Sequence, residues 1–204
     1  MYIPEIYRNE NPQGIRQFLV ENGFAILVSR SGEKLWATHI PLVFEVKPDG
    51  KEILHGHISK ENPQWKDFAS GEEVLAIFSG PHHYISSSWY DHENVPTWNY
   101  IAVHVYGKIK ILTDDEALQH LKKLVDKYEA ASENPVRVET MTNKTMMQAR
   151  GIVVFQIDIT EISAKRKLSQ NRDKTNHDNI IGELEKTQNP DAAAIAEEMR
   201  KRTF

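Results

Sequence analysis

Cysteine is absent from the 204 residues, which excludes disulfides, thiolate metal sites and cysteine nucleophiles. No apolar run approaches the ~20 residues of a bilayer span. The opening Met1-Tyr2-Ile3-Pro4 has neither the basic region nor the apolar stretch of a signal peptide. The chain therefore reads as a soluble cytoplasmic protein without a membrane partner. Positive charge is not in excess either: the formal net charge is -4, which argues against a broadly cationic nucleic-acid binder. Gly-rich phosphate loops, a Gly-x-Ser-x-Gly elbow and a His-Glu-x-x-His pair are all missing, so the best-defined phosphate, hydrolase and zinc signatures do not apply and no metal is expected.

What is present is ordinary globular material. Hydrophobic residues make up 40% and charged residues 26%, enough for a core that needs no staples. The first 113 residues read mostly as strands: Phe24–Val28, Leu35–Val46, Ile53–Ile58, Val74–Phe78, Tyr84–Ser88 and Trp98–Leu112. Lys47-Pro48-Asp49-Gly50 is a turn between two of them, and Gly107 marks a bulge or bend in the last. Asn-Pro pairs at 11–12, 62–63 and 189–190 have the form of helix starts. Thr113 and Glu116 have capping-box spacing ahead of a helical stripe of Leu118, Leu121, Leu124, Val125 and Tyr128. A late strand covers Gly151–Ile159. Short strands with few helices predict a mainly β protein with flanking helices (α+β), closed or partly closed as a barrel. Residues 1–162 form its barrel domain with inserted helices. Residues 163–204 form a basic linker and C-terminal helices that pack on the barrel or on a dimer partner.

Unusual polar density falls in three stretches. Trp36-Ala37-Thr38-His39-Ile40-Pro41 puts a polar pair beside an apolar strand, and Pro41 assigns the stretch to an edge. His55-Gly56-His57-Ile58-Ser59-Lys60-Glu61-Asn62 runs from a strand end into a helix start, where free N–H groups and Lys60 suit a phosphate. Ser79–Trp98 holds three consecutive serines, Trp89, Trp98 and three histidines. Burial of that density needs partners, which a flat aromatic ligand with polar edges supplies; a surface hairpin and loop explains it equally. The histidines read as structural. Residues 163–174 carry five positive charges and one negative, a cluster suited to DNA, to a cofactor phosphate or to a solvated linker.

The sequence resembles the PaiB family of bacterial negative transcriptional regulators. The matching blocks include Met1–Pro4, Ala37–Leu42, Gly56-His57 with Asn62–Trp65, Gly80–His82, Tyr84–Tyr90, His92–Tyr100, Glu133–Pro135 and Lys167–Arg172. The resemblance implies an FMN-binding split β-barrel with a C-terminal helical appendage, a homodimer, and repression of sporulation and extracellular protease genes. The alternative is a flavin-dependent oxidoreductase whose regulatory effect is indirect. It further implies that His57, Ser59, Lys60 and Asn62 meet the flavin phosphate, and that the ring lies along Ala37, Thr38 and His39. Ser87 and Trp98 stand at the ring edge or interface, and Gln170 and Arg172 approach from the partner subunit. Lys165, Arg166 and Lys167 are the only residues that support direct DNA contact. The related oxidases present an arginine-rich phosphate clamp, whereas this stretch offers Lys60 alone.

Overall fold

The computed structural model describes residues 1–71 and 73–202; positions 203 and 204 of the predicted C-terminal segment lie outside the described residues. Seven strands form one sheet in the order β2-β1-β5-β6-β7-β4-β3. They are β1 (Phe24–Ser31), β2 (Lys34–Pro41), β3 (Val43–Val46), β4 (Glu52–Ser59), β5 (Glu73–Ile85), β6 (Thr97–Ile111) and β7 (Ile152–Lys167). The helices are α1 (Pro12–Glu21), α2 (Asp114–Glu129), α3 (Asn143–Met146), α4 (Lys174–Lys186) and α5 (Pro190–Arg200). The β1–β2, β1–β5, β3–β4 and β4–β7 pairings are antiparallel. The chain divides into two compact units, residues 19–78 with 105–162, and residues 1–18 with 79–104 and 163–204.

The first unit contains β1 to β4, α2 and α3, with the adjoining halves of β5, β6 and β7. Strand alternation builds its core: Ala25 and Leu27 on β1, Ala76 and Phe78 on β5, and Phe155 and Ile157 on β7 are buried, as period-two patterning requires of strands packed on one face. Phe68 and Phe155 meet edge to face with centroids 5.2 Å apart, a preferred aromatic geometry. β6 keeps the alternation expected of it, but Gly107 is not a bulge. It lies within an unbroken strand. A Cβ there would stand 2.5 Å from the backbone oxygen of Asp158 and 2.6 Å from Ile157 Cγ2, so glycine is required by the close approach of β7. Gly107→Ala is expected to cost about 2 kcal/mol, in the range of core overpacking, and to lower Tm by roughly 6 °C for a chain of this size. Thermal unfolding checks this; an unchanged Tm would mean that the two strands part easily.

The second unit holds the outer halves of β5, β6 and β7 with α4 and α5. Its core is Ile85, Tyr90, Ile101, Leu168, Ile180, Ile181, Leu184, Ala192, Ile195, Ala196 and Met199. Fully buried Ile180, Leu184 and Ile195 each contribute on the order of 1.5–3 kcal/mol. Asp173 caps α4 by accepting from the Asn176 backbone N–H at 2.9 Å. Asn189 caps α5 through the N–H groups of Asp191 and Ala192, and Pro190 opens the helix.

Three sequence expectations change here. Leu35–Val46 is not one strand but two, β2 and β3, which stand at opposite ends of the strand order. Val74–Phe78 and Tyr84–Ser88 are not separate strands; β5 runs unbroken to Ile85, and Ser87–Trp89 is a short 3-10 turn. Gly80 and Pro81 fall downstream of Leu75–Ile77, the residues of β5 paired with β1, so the proline, which cannot donate, stands outside that ladder. Likewise, residues 163–167 are not linker but the end of β7. No helix among the described residues is long and apolar enough to cross a membrane.

Candidate functional site

Within the first unit, the strand-to-helix stretch and β2 form one hydrogen-bonded network. Asn62 caps the 3-10 helix Pro63–Ser70 by accepting from the Gln64 N–H at 3.1 Å. Its side-chain amide donates to Thr38 Oγ1 at 2.9 Å, and the Thr38 hydroxyl donates to Gln64 Oε1 at 2.6 Å. Gln64 is fully buried, and its amide donates to the Leu27 carbonyl at 3.2 Å and to Ser29 Oγ at 3.0 Å. The network brings Thr38 and Asn62 together, and it engages their polar atoms in holding β2 against the turn. They position the site. Ala37 and His39 are exposed on β2, an edge of the sheet, where one row of backbone N–H and C=O groups lacks a strand partner. Gln64 belongs to the polar helix start read from the sequence as hydrogen-bonding capacity, but a glutamine after Asn-Pro carries no sign that it is buried.

Lys60 follows β4. Its backbone N–H donates to the Gly151 carbonyl at 2.8 Å and its own carbonyl accepts from Trp65 Nε1 at 2.9 Å, which fixes the main chain and leaves the side chain exposed. Ser59 Oγ accepts from the Glu61 N–H at 3.2 Å. Lys60 lines a cavity of about 570 Å³ that also receives Arg150. Arg150 lies 90 residues downstream, and nothing local to it suggested a role.

His57 faces away from this turn. Its Nδ1 lies 3.3 Å from Nε2 of His120 on α2, and the His55 ring lies 5.8 Å from that of His120. Glu45 stands 3.9 Å from His55 Nδ1. His120 is 1% exposed. Burial first, then the neighbouring His57 and His55, push its pKa down to about 3; burial also lowers those of His55 and His57. The three imidazoles are a neutral packed cluster at neutral pH. His57 is therefore placed among histidines, on the other side of β4 from Gly56, whose missing Cβ faces Leu42 and Phe155.

The remaining predicted residues lie in the second unit. Trp98 is exposed and lines an apolar pocket of about 310 Å³ with Ser79, Gly80, His82, Tyr100, Ile101 and Ala102. Ser87 opens the 3-10 turn after β5. Gln170 is engaged locally: its amide donates to the Arg166 carbonyl, and its oxygen accepts from the Leu168 N–H at 2.7 Å. The Arg172 guanidinium lies 4.9 Å from the centre of the Tyr90 ring, a cation–π contact. Lys165 is buried, with Nζ 5.2 Å from the Tyr100 ring centre and near Tyr2 and Tyr7. Arg166 pairs with Glu198, and Lys167 donates to Thr97. A DNA phosphate would reach these three cations only by breaking those contacts.

A family model described as "Putative FMN-binding domain" matches residues 1–161. The chain belongs to this FMN-binding family. Its cofactor is FMN. A Bacillus subtilis (strain 168) relative, "Protease synthase and sporulation protein PAI 2", is 45% identical over 98% of this chain and 96% of its own, so the PaiB resemblance holds across nearly the full length. An uncharacterized Emericella nidulans protein is 27% identical over 99% of this chain and 97% of its own. Among solved structures, an FAD- and heme-binding protein of Mycobacterium smegmatis superposes with a TM-score of 0.61 at 15% identity, over 79% of this chain and 73% of that one. The flavocytochrome Anf3 of Azotobacter vinelandii gives 0.60 at 16% identity, over 78% and 69%. These likenesses assign the family member to the split-barrel fold.

The residues of the first unit fit FMN. An exposed edge strand offers backbone donors and acceptors to the rim of a flat ring, and Lys60 is a cation with no ion pair among the described residues. Thr38 and Asn62 hold strand and turn in register.

Proposed function

We propose that this chain is a PaiB-like negative transcriptional regulator of sporulation and extracellular protease genes, acting in the cytoplasm as a homodimer that carries FMN. The observation that supports it is the 45% identity, spanning nearly the whole of both chains, to a protein named for protease synthesis and sporulation. In this reading Ala37, Thr38 and His39 border the flavin ring. Lys60, at the turn with Ser59 and Asn62, gives the phosphate its charge partner, while His57 on the preceding strand packs against His120. Ser87, Trp98, Gln170 and Arg172 are the second copy's share. Bound FMN supplies reversible hydride and electron transfer. The chain's own residues orient it: Asn62 and Gln64 fix Thr38, and the edge strand selects the polar rim. Regulation then requires that occupancy or redox state favour one protein conformation over another.

The test is an FMN titration of the purified protein followed by fluorescence, with sedimentation to size the oligomer. One flavin per chain on a dimer is expected, with Lys60→Met weakening binding at least tenfold, because a charge-assisted contact to phosphate contributes about 1.5–3 kcal/mol. No binding at high micromolar FMN would overturn the cofactor site. Protease transcripts that do not rise when the gene is deleted would overturn the regulatory half. Steady NAD(P)H oxidation by the loaded protein would move the reading to an oxidoreductase.

A further inference from the structure

The cavity shared by Lys60 and Arg150 lies between the start of α2, the end of β6, the start of β7 and the turn before it, all within the first unit. Its walls are Ile111, Leu112, Leu118, Leu121, Ile152 and Val154. Its volume of about 570 Å³ falls within the ~300–1,000 Å³ of small-molecule sites. Two features of it are unresolved by the fold alone. Leu118 and Ile111 are 49% and 42% exposed, so apolar surface that α2 could have buried stays wet. Lys60 and Arg150 make no ion pair with any described residue, although they border that apolar wall. The lining contains one carboxylate, Asp114, so its formal charge is +1.

We propose that this cavity binds a small organic carboxylate with an apolar body, the carboxylate held by Arg150 with Lys60 beside it. One molecule of that chemistry answers both features. Its hydrocarbon covers Leu118 and Ile111, a gain of roughly 25 cal/mol for each Å² removed from water. Its single negative charge offsets the surplus positive charge of the lining. Arg150 is the better head-group partner because a guanidinium presents a planar fork that matches a carboxylate with two parallel hydrogen bonds. A neutral alcohol would leave the two cations without a counter-charge, and an amine would be repelled by them. Of the residues in the flavin reading, Ala37, Thr38, His39 and Asn62 do not line the cavity. Lys60 is common to both, so competition with FMN decides between one site and two.

Calorimetric titration of the full-length protein, with and without FMN, uses decanoate as the probe and decylamine as its cationic counterpart of equal chain length. Saturable binding of one decanoate per chain is expected in both forms, with decylamine showing none. Arg150→Met should weaken decanoate at least tenfold while the melting temperature stays within about 2 °C, as for a surface change. Leu118→Asp, on a half-exposed helix position, should weaken it similarly by placing a like charge against the ligand. The proposal is overturned by absence of saturable binding, by equal binding of decylamine, or by displacement of decanoate with FMN, which would make the cavity the flavin's own phosphate pocket. A chain that takes no FMN removes the flavin reading, and the decanoate arm still decides this one.

Discussion

Gln64→Leu is expected to lower the stability of the protein by about 4 kcal/mol, from two buried partners and the half-buried Thr38 at roughly 1–3 kcal/mol each. The volume changes little, so the loss is polar. Leucine leaves the Leu27 carbonyl, Ser29 Oγ and the Thr38 hydroxyl without the group that now meets each of them. Ser29 is itself buried, and water does not replace the amide there without opening the strand-to-turn junction. The same substitution should weaken FMN, because Thr38 is held between Gln64 and Asn62 and loses one of its two anchors. Urea unfolding gives the first quantity as a lowered midpoint at unchanged m, and flavin titration gives the second. A Gln64→Leu protein within 1 kcal/mol of wild type would show that the network adds little. A protein equally destabilised but with unchanged flavin affinity would separate the network from the flavin site.

The contrast between Asn62 and Gln64 shows which parts of this site are legible in a sequence. Asn62 was readable as a cap because its partner is two residues away; Pro63 after it reinforces the signal. Gln64 draws its meaning from Leu27 and Ser29, 37 and 35 residues earlier, and from a strand register that no local pattern specifies. The same distance rule explains β7. Residues 165–167 look like a basic linker when only neighbours are counted, since their charge density exceeds that of the rest of the chain. Their actual surroundings are the Tyr100 ring, Glu198 and Thr97, which let a strand carry three cations into a packed unit. Gly80-Pro81 lies inside β5, where two separate strands were expected: both residues punctuate chains, but here they fall beyond the segment paired with β1. The helical stripe predicted on α2 is real as a helix. Leu118 and Tyr128 remain half exposed, while the residue it buries is His120, a polar residue that a hydrophobic stripe cannot announce.

That buried histidine should make the fold sensitive to acid. Unfolding should become easier as pH falls from 6.5, by about 2 kcal/mol at pH 5 for His120 alone and about 3 kcal/mol at pH 4, at roughly 1.4 kcal/mol for each pH unit over which only the unfolded chain holds the proton. The direction follows from the imidazole's charge. In the unfolded chain it takes a proton near its ordinary value of 6.5, whereas in the fold burial holds it neutral down to about pH 3. The unfolded state therefore binds more protons throughout that interval, so stability is whole above pH 6.5 and is lost on acidification. His57 and His55, also lowered by burial, act in the same sense. Glu45 on β3 opposes the effect at His55, while Lys123 on α2 and Lys47 beyond β3 reinforce it. Carboxylates elsewhere also titrate below pH 5, so the informative comparison is with His120→Leu. That variant removes the nitrogen that meets His57 Nδ1 and should be less stable at pH 7.5 by about 1 kcal/mol, yet lose markedly less than wild type between pH 7.5 and 5. Urea midpoints at the two pH values measure this directly. Parallel losses in both proteins would mean that His120 takes up its proton in the fold as readily as outside it, and that α2 opens to water at this point.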